Sequence, residues 1–165
     1  MLVKNKPTKH YSSLQEKTIA DYLGWSAVSA SGARPFTKGD IKSCDWLAEC
    51  KTHTSVTDII TITKSVWNKI SIEAKGAMRK PVLFIDNGTQ DIQSTYAVVP
   101  KRVCYGYPLH QVDADIKESQ LKFTFSHTTV NKLLSVQFTY LPISLQNESL
   151  YIMKLDSFKH IIVGE

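Results

Sequence analysis

The sequence predicts an α/β fold in which a mixed central sheet is flanked by helices. Three observations lead there. An amphipathic helical pattern stands near the start, and alternating strand-like runs follow it between residues 40 and 52. A second, longer helical pattern then runs into PVLFID at 81–86, a continuous apolar stretch of the kind a buried central strand carries.

Residues 1–11 are polar and lysine-rich and read as a loose arm. A helix is expected from Ser12 to Leu23, with Leu14, Ile19, Tyr22 and Leu23 near one face and Gly24 as the stop signal. Trp25 to Ser29 has the makings of a short strand. SGARPFTKG at 31–39 carries two glycines and a proline and reads as a turn or loop. Asp40–Lys42 and Asp45–Thr52 read as the two arms of a hairpin around Ser43-Cys44. In the second arm the strand period of two sends Trp46, Ala48 and Cys50 to one face and Leu47, Glu49 and Lys51 to the other.

Ile59–Ile62 alternates apolar residues with threonine and suggests a brief strand. A long helix is expected over Thr63–Arg79, its stripe made by Val66, Trp67, Ile70, Ala74, Ala77 and Met78, with Lys69, Glu73 and Lys75 largely outside it and Pro81 beyond its end. After PVLFID and a turn at Asn87-Gly88, TYAVVP at 95–100 gives another strand. KFTFSH and SVQFTYLP alternate like strands, so residues 101–149 form a β-rich excursion. LYIMKL at 150–155 is a strand, and Asp156 caps a short final helix, SFKHII. The expected organisation is a single domain over 1–165, with its core at about 12–100 and 150–162 and an insertion at about 101–149.

Composition narrows the class. Of the 165 residues, 42% are hydrophobic and 21% charged, enough apolar material for a core without disulfides or a structural metal. No run approaches the roughly 20 apolar residues that cross a bilayer, and the N-terminal stretch lacks a signal-peptide core. The three cysteines, Cys44, Cys50 and Cys104, show no CxxC spacing, so a reducing, cytoplasmic setting is expected. A net charge of +5 tilts the partner toward a polyanion, although the basic residues are dispersed. The histidines show no HExxH pattern and no GxxxxGK[ST] is present, which disfavours a zinc hydrolase and a P-loop enzyme.

The chemistry concentrates in KGDIKSCDWLAECKT at 38–52. Asp40 begins one arm of the hairpin, and the other carries Glu49 and Lys51 on one face. Two carboxylates brought together repel unless a hard divalent cation sits between them, and magnesium accepts such oxygen ligands while keeping several waters. One of those waters, polarised toward hydroxide, is a nucleophile for a phosphodiester, and a lysine beside it orients the water and stabilises charge on the phosphate. Glu-x-Lys by itself carries little: its bland counterpart is an exposed ion pair worth about 0.5 kcal/mol. The apolar strand around it, the Gly39-Asp40 upstream and the α/β order of elements give it weight.

Together, SASGARPFTKGD, DWLAECKT and ITITKSVWNKISIEAKGAMRKPVLFID resemble the PD-(D/E)xK nuclease superfamily, and more closely the small Holliday junction resolvase-like proteins of phages and archaea. The resemblance covers about residues 12–100. It implies a restriction-endonuclease-like αβββαβ core, dependence on Mg2+ with Mn2+ as a substitute, a homodimer and, if phage-encoded, action in the host cytoplasm. Carried over by position, Asp40 and Glu49 match the metal-binding acids, the Cys50 carbonyl a further ligand, Lys51 the catalytic lysine and Glu16 an additional acid near the metal. Ser29 and Ser31 fall where resolvases often have hydroxyls. The proline of the motif is replaced by Gly39, and residues 101–149 match nothing in the family.

Several residues have a second reading. Ser13-x-x-Glu16 is also a capping box. Ser29, Ser31 and Arg34 suit phosphate contact or simple turn chemistry, and Lys38 and Lys64 suit DNA contact or solvated charge. Asp45 is a turn residue, His53 a surface residue or a proton-transfer aid, and Trp67 and Trp46 belong to the core. The expected function is a Mg2+-dependent endonuclease selective for branched DNA. The alternatives are a restriction- or repair-type nuclease on linear duplex or single strands, and a non-catalytic DNA-binding module on the same fold.

Overall fold

A strand that buries both of its faces needs cover on both sides, and the apolar alternation of TYAVVP, PVLFID and LYIMKL finds it. The computed structural model describes residues 8–28, 39–145 and 147–164. The chain begins with helix α1 (Thr8–Leu23), β1 (Ser26–Ala27), β2 (Ile41–Lys42), β3 (Trp46–Lys51) and β4 (Ile59–Thr63). Helix α2 (Lys64–Gly76), β5 (Lys80–Ile85) and β6 (Tyr96–Pro100) follow. Next come β7 (His110–Gln111), β8 (Lys117–Glu118), β9 (Lys122–Ser126), helix α3 (His127–Leu133), β10 (Thr139–Leu145), β11 (Glu148–Lys154) and helix α4 (Leu155–Val163).

Eight strands form one mixed sheet in the order β1-β2-β3-β5-β6-β11-β10-β7, and β4, β9 and β8 form a smaller antiparallel sheet. Within the large sheet, β3 runs parallel to β5. Parallel neighbours cannot be joined by a tight turn, so the chain crosses over through β4 and α2 between them. The Thr63 side chain starts α2 by accepting from the Val66 amide.

The large sheet is covered on both faces of its period-two alternation, by helices and the small sheet on one side and by helices on the other. Leu47, Leu83, Ile85, Tyr96, Val98 and Ile152 face α2, α3 and the small sheet, where Trp67, Ile70, Phe123, Phe125 and Leu134 meet them. Trp46, Ala48, Cys50, Phe84, Val99 and Met153 face α1 and α4, where Ile19 and Phe158 close the layer. Each fully buried large apolar side chain contributes about 1.5–3 kcal/mol relative to exposure, so β3, β5 and β6 anchor the molecule. No helix among the described residues is long and apolar enough to cross a membrane.

Several expectations are corrected. Helix α1 begins at Thr8, so residues 8–11 are helical, and Ser13 lies well inside the helix, where it cannot be an N-cap. The capping box is thereby removed. Leu14 is exposed and Gln15 is buried instead, because α1 packs through its Gln15–Ile19–Ala20 side. Helix α2 ends at Gly76, and Met78 adopts a φ of 55° and is 93% exposed, so it leaves the expected stripe. Asp156 does not cap α4, whose N-cap is Lys154 with no side-chain hydrogen bond; Asp156 lies in the first turn and accepts from the Tyr22 hydroxyl at 2.8 Å. The segment 101–149 supplies strands to both sheets: β8 and β9 join β4 in the small sheet, while β7 and β10 join the large one.

Candidate active site

The site grows out of the end of the β2–β3 ladder. Ile41 pairs with Ala48 in antiparallel register, and Asp40 immediately precedes β2 at the end of that ladder, near enough to Glu49 to feel its charge. Gly39, with a φ of 91°, turns the chain into this position; a Cβ there would come within 2.9 Å of the Leu47 side chain. A proline, as the family motif's name would have it, has its φ fixed near −65° and could not adopt that conformation. The Asp40 backbone N–H donates to the Ala48 carbonyl at 2.8 Å, and its carboxylate Oδ2 accepts from the Cys50 amide at 2.7 Å.

Glu49 is the centre of the cluster. Its side chain is only 3% exposed, on the α2 side of β3, as its register with Leu47 requires. A carboxylate so far out of water needs opposite charge. Lys51 Nζ stands 2.7 Å from Oε1, and Lys69 Nζ lies 3.1 Å from Oε1 and 3.0 Å from Oε2. Both lysines keep about half of their side chains in solvent, 45% and 50% exposed, so the cluster is charged, buried at its base and open at its mouth.

The acids carry the marks of crowding. Burial, followed by the charges of Asp40 and Glu49, raises the Glu16 carboxyl to about 7, against a smaller lowering by Lys51. Burial likewise raises Asp40; the Cys50 amide works the other way, and the charge of Glu49 adds to the rise. For Lys69 burial is the largest effect and lowers its pKa, but the bond to Glu49 and the charges of Glu49, Glu73 and Asp40 outweigh it, and the net shift is upward. The Cys50 thiol, wholly buried in the opposite layer, is raised by desolvation and then by the acids, which keeps it a neutral core group.

Neighbouring residues hold the end of β3 in place. Gln15 Nε2 donates to the Lys51 carbonyl at 2.6 Å, tying α1, and with it Glu16, to the site. At the end of β5, Asp86 Oδ1 accepts from the Thr52 hydroxyl at 2.5 Å and from the Gly88 amide at 2.9 Å.

The structure thus brings together Glu16, Asp40, Glu49 and Lys51. Ser29, Ser31, Arg34 and Lys38 lie outside the described residues. Lys64 opens α2, and its amide donates to the Leu121 carbonyl at 2.9 Å; the lysine of that helix that reaches Glu49 is Lys69. Asp45 sits in the exposed turn between β2 and β3, and Trp46 and Trp67 are core residues. Lys69 escaped the sequence reading. Its one signal was its place beside Ile70, on the flank of the buried stripe where a long side chain can reach back over the sheet.

Comparison of the chain with protein-family models, with curated proteins and with solved structures finds no match. The site therefore speaks through its own chemistry. Among the described residues no group of three or more His, Cys, Asp and Glu side chains is gathered so as to hold a metal ion. The acids of Asp40 and Glu49 offer only hard oxygen, the donor type that suits magnesium, a cation that commonly uses one or two carboxylates and fills its other positions with water and phosphate. A groove of about 460 Å³, lined in part by Gln111, Phe123, Tyr140 and Tyr151, includes none of these acids.

Proposed function

We propose that this chain is a magnesium-dependent endonuclease that hydrolyses DNA phosphodiester bonds, with branched DNA as its preferred substrate. The observation that carries the reading is the gathering of Asp40, bound to the Cys50 amide, beside Glu49, with the Lys51 ammonium 2.7 Å from Glu49. Asp40, which burial and the charge of Glu49 push toward protonation, gains from a divalent cation that offsets both penalties at once.

Asp40 and Glu49 would hold the metal, with the Cys50 carbonyl as a further oxygen donor. Bound there, magnesium supplies Lewis-acid charge at the phosphate and lowers the pKa of water. Lys51, on the same face of β3 as Glu49, holds the attacking water and neutralises charge that builds on the phosphate oxygens. Glu16, with a carboxyl at about 7, exchanges a proton at neutral pH, which suits it to take one from water or to return one to the leaving alkoxide. Attack forms the new P–O bond, the bond to one sugar oxygen breaks, and that oxygen leaves with the proton. Ser29, Ser31, Arg34, Lys38 and Lys64 are proposed DNA contacts, and a homodimer would set two such sites to cut strands in pairs.

The test is nicking of a synthetic four-way junction and of a linear duplex of equal length, with magnesium and with EDTA. Magnesium-dependent cleavage that favours the junction, lost in Glu49→Ala and Lys51→Ala proteins that remain folded, supports the reading. Equal rates on both DNAs assign a linear-DNA nuclease, and cleavage retained by either variant rejects the assigned residues.

A further inference from the structure

Glu49 is held by two ammonium groups, although the chemistry proposed above uses one. They are held differently. Lys51 shares β3 with Glu49, two positions away on the same face, so its stem begins beside the carboxylate. Lys69 comes from α2, reaches the same carboxylate from the crossover helix, and bridges both oxygens at 3.1 and 3.0 Å with half of its side chain in solvent.

We propose that Lys69 is an exchangeable counter-ion, holding Glu49 in the metal-free protein and yielding it to the divalent cation as its ammonium moves onto a non-bridging oxygen of the DNA phosphate. The inference rests on the nuclease reading and extends it to a second substrate-binding lysine.

Charge and geometry both argue for exchange. Asp40 and Glu49 are balanced by Lys51 and Lys69, so a divalent cation entering beside these four adds two positive charges, which Glu16 and the Glu73 beside Lys69 offset only in part. Like charges at such separations in a partly desolvated site repel strongly. Departure of Lys69 removes one of them and frees Oε2, the oxygen that Lys51 does not hold. Its solvent-facing half gives the ammonium a path to the mouth, where a phosphate arriving with the opposite charge can accept it. A lysine suits such a move because its ammonium is a compact charge on a flexible stem, with no fixed fork to realign.

The experiment is calorimetric titration of Mn2+ into the full chain without DNA, for the wild type, Lys69→Met and Lys69→Gln, followed by single-turnover nicking of the junction. Removing a competing positive charge is expected to tighten Mn2+ binding by about fivefold or more in both variants, while nicking at saturating Mn2+ slows by about tenfold or more as a phosphate contact is lost. A cooperative melt and a circular-dichroism spectrum like that of the wild type certify the fold, and the glutamine variant serves if the methionine variant does not fold. Mn2+ affinity that is unchanged or weaker in a folded variant, with the wild type binding Mn2+, overturns the exchange and leaves the nuclease reading standing. Absence of Mn2+ binding in all three proteins overturns both.

Discussion

The Asp40 carboxylate accepts the Cys50 amide at 2.7 Å, while Glu49, the residue before Cys50, turns to the lysines. The two acids are thus fixed by different partners, one by backbone and one by mobile ammonium groups. Removing either kind of partner has a different consequence.

Lys69→Ala leaves Glu49, a carboxylate with 3% of its side chain exposed, with one ammonium in place of two. The expected loss of stability is about 1–3 kcal/mol, the cost of an under-compensated buried charge. Urea unfolding at pH 7 measures it. Glu49→Gln, which removes the buried charge itself and lets both half-exposed lysines turn to water, is expected to lie within about 1 kcal/mol of the wild type.

Glu16 gives a pH signature. Its carboxyl is raised from 4.5 to about 7 in the folded protein, so folding favours its protonated form. The associated stability is fully present below the unfolded value and is lost as pH rises through about 7. Glu16→Gln is therefore expected to melt about 1–3 °C higher than the wild type at pH 8, allowing for its partial exposure. The difference shrinks as pH falls toward 4.5, the ordinary value for this group. Paired thermal melts across pH 4.5–8 follow it, and a gap that grows on acidification contradicts the assignment.

Glu148 ties α2 to the β10–β11 hairpin, accepting from the buried Trp67 indole at 3.1 Å on one oxygen and from Arg102 at 2.6 Å on the other. Glu148→Ala strands the indole N–H in the core and is expected to cost about 1–3 kcal/mol. Arg102→Ala, which leaves that indole bond intact and removes an exposed ion pair, is expected to cost under about 1 kcal/mol. Chemical denaturation of both variants checks the ranking.

Gly88 sits at a φ of 97°, and a Cβ there would fall 2.4 Å from the Ser55 carbonyl oxygen. Gly88→Ala is expected to destabilise by about 2–4 kcal/mol and to loosen the loop that carries the Asp86–Thr52 bond. Hydrogen exchange at Gly88 and its neighbours reports the loosening.

What the sequence made legible is local. Glu49 and Lys51 share a face because a strand has a period of two, and Asp40 could be set against them because only a short turn intervenes. PVLFID and TYAVVP are strands because continuous apolar runs of that length have few other homes, and they became β5 and β6. What was hidden depends on packing between distant elements. Lys69 reaches Glu49 because α2 lies across β3, a placement that no helical period encodes. Ser13 and Glu16 match a capping box in letters, but four more residues than expected joined the helix before Ser12 and left the motif in its interior. The strands of 101–149 could be recognised one by one from their alternation, but their division between two sheets is decided by partners far away in the chain.

The central claim is that Asp40 and Glu49 share a divalent cation, and a crystal of the protein soaked in manganese tests it most directly. The account predicts an anomalous density peak within coordination distance of a carboxylate oxygen of each residue, with Lys51 still beside Glu49. Crystals saturated with manganese that show no such peak, with Lys51 and Lys69 still closed over Glu49, would contradict it.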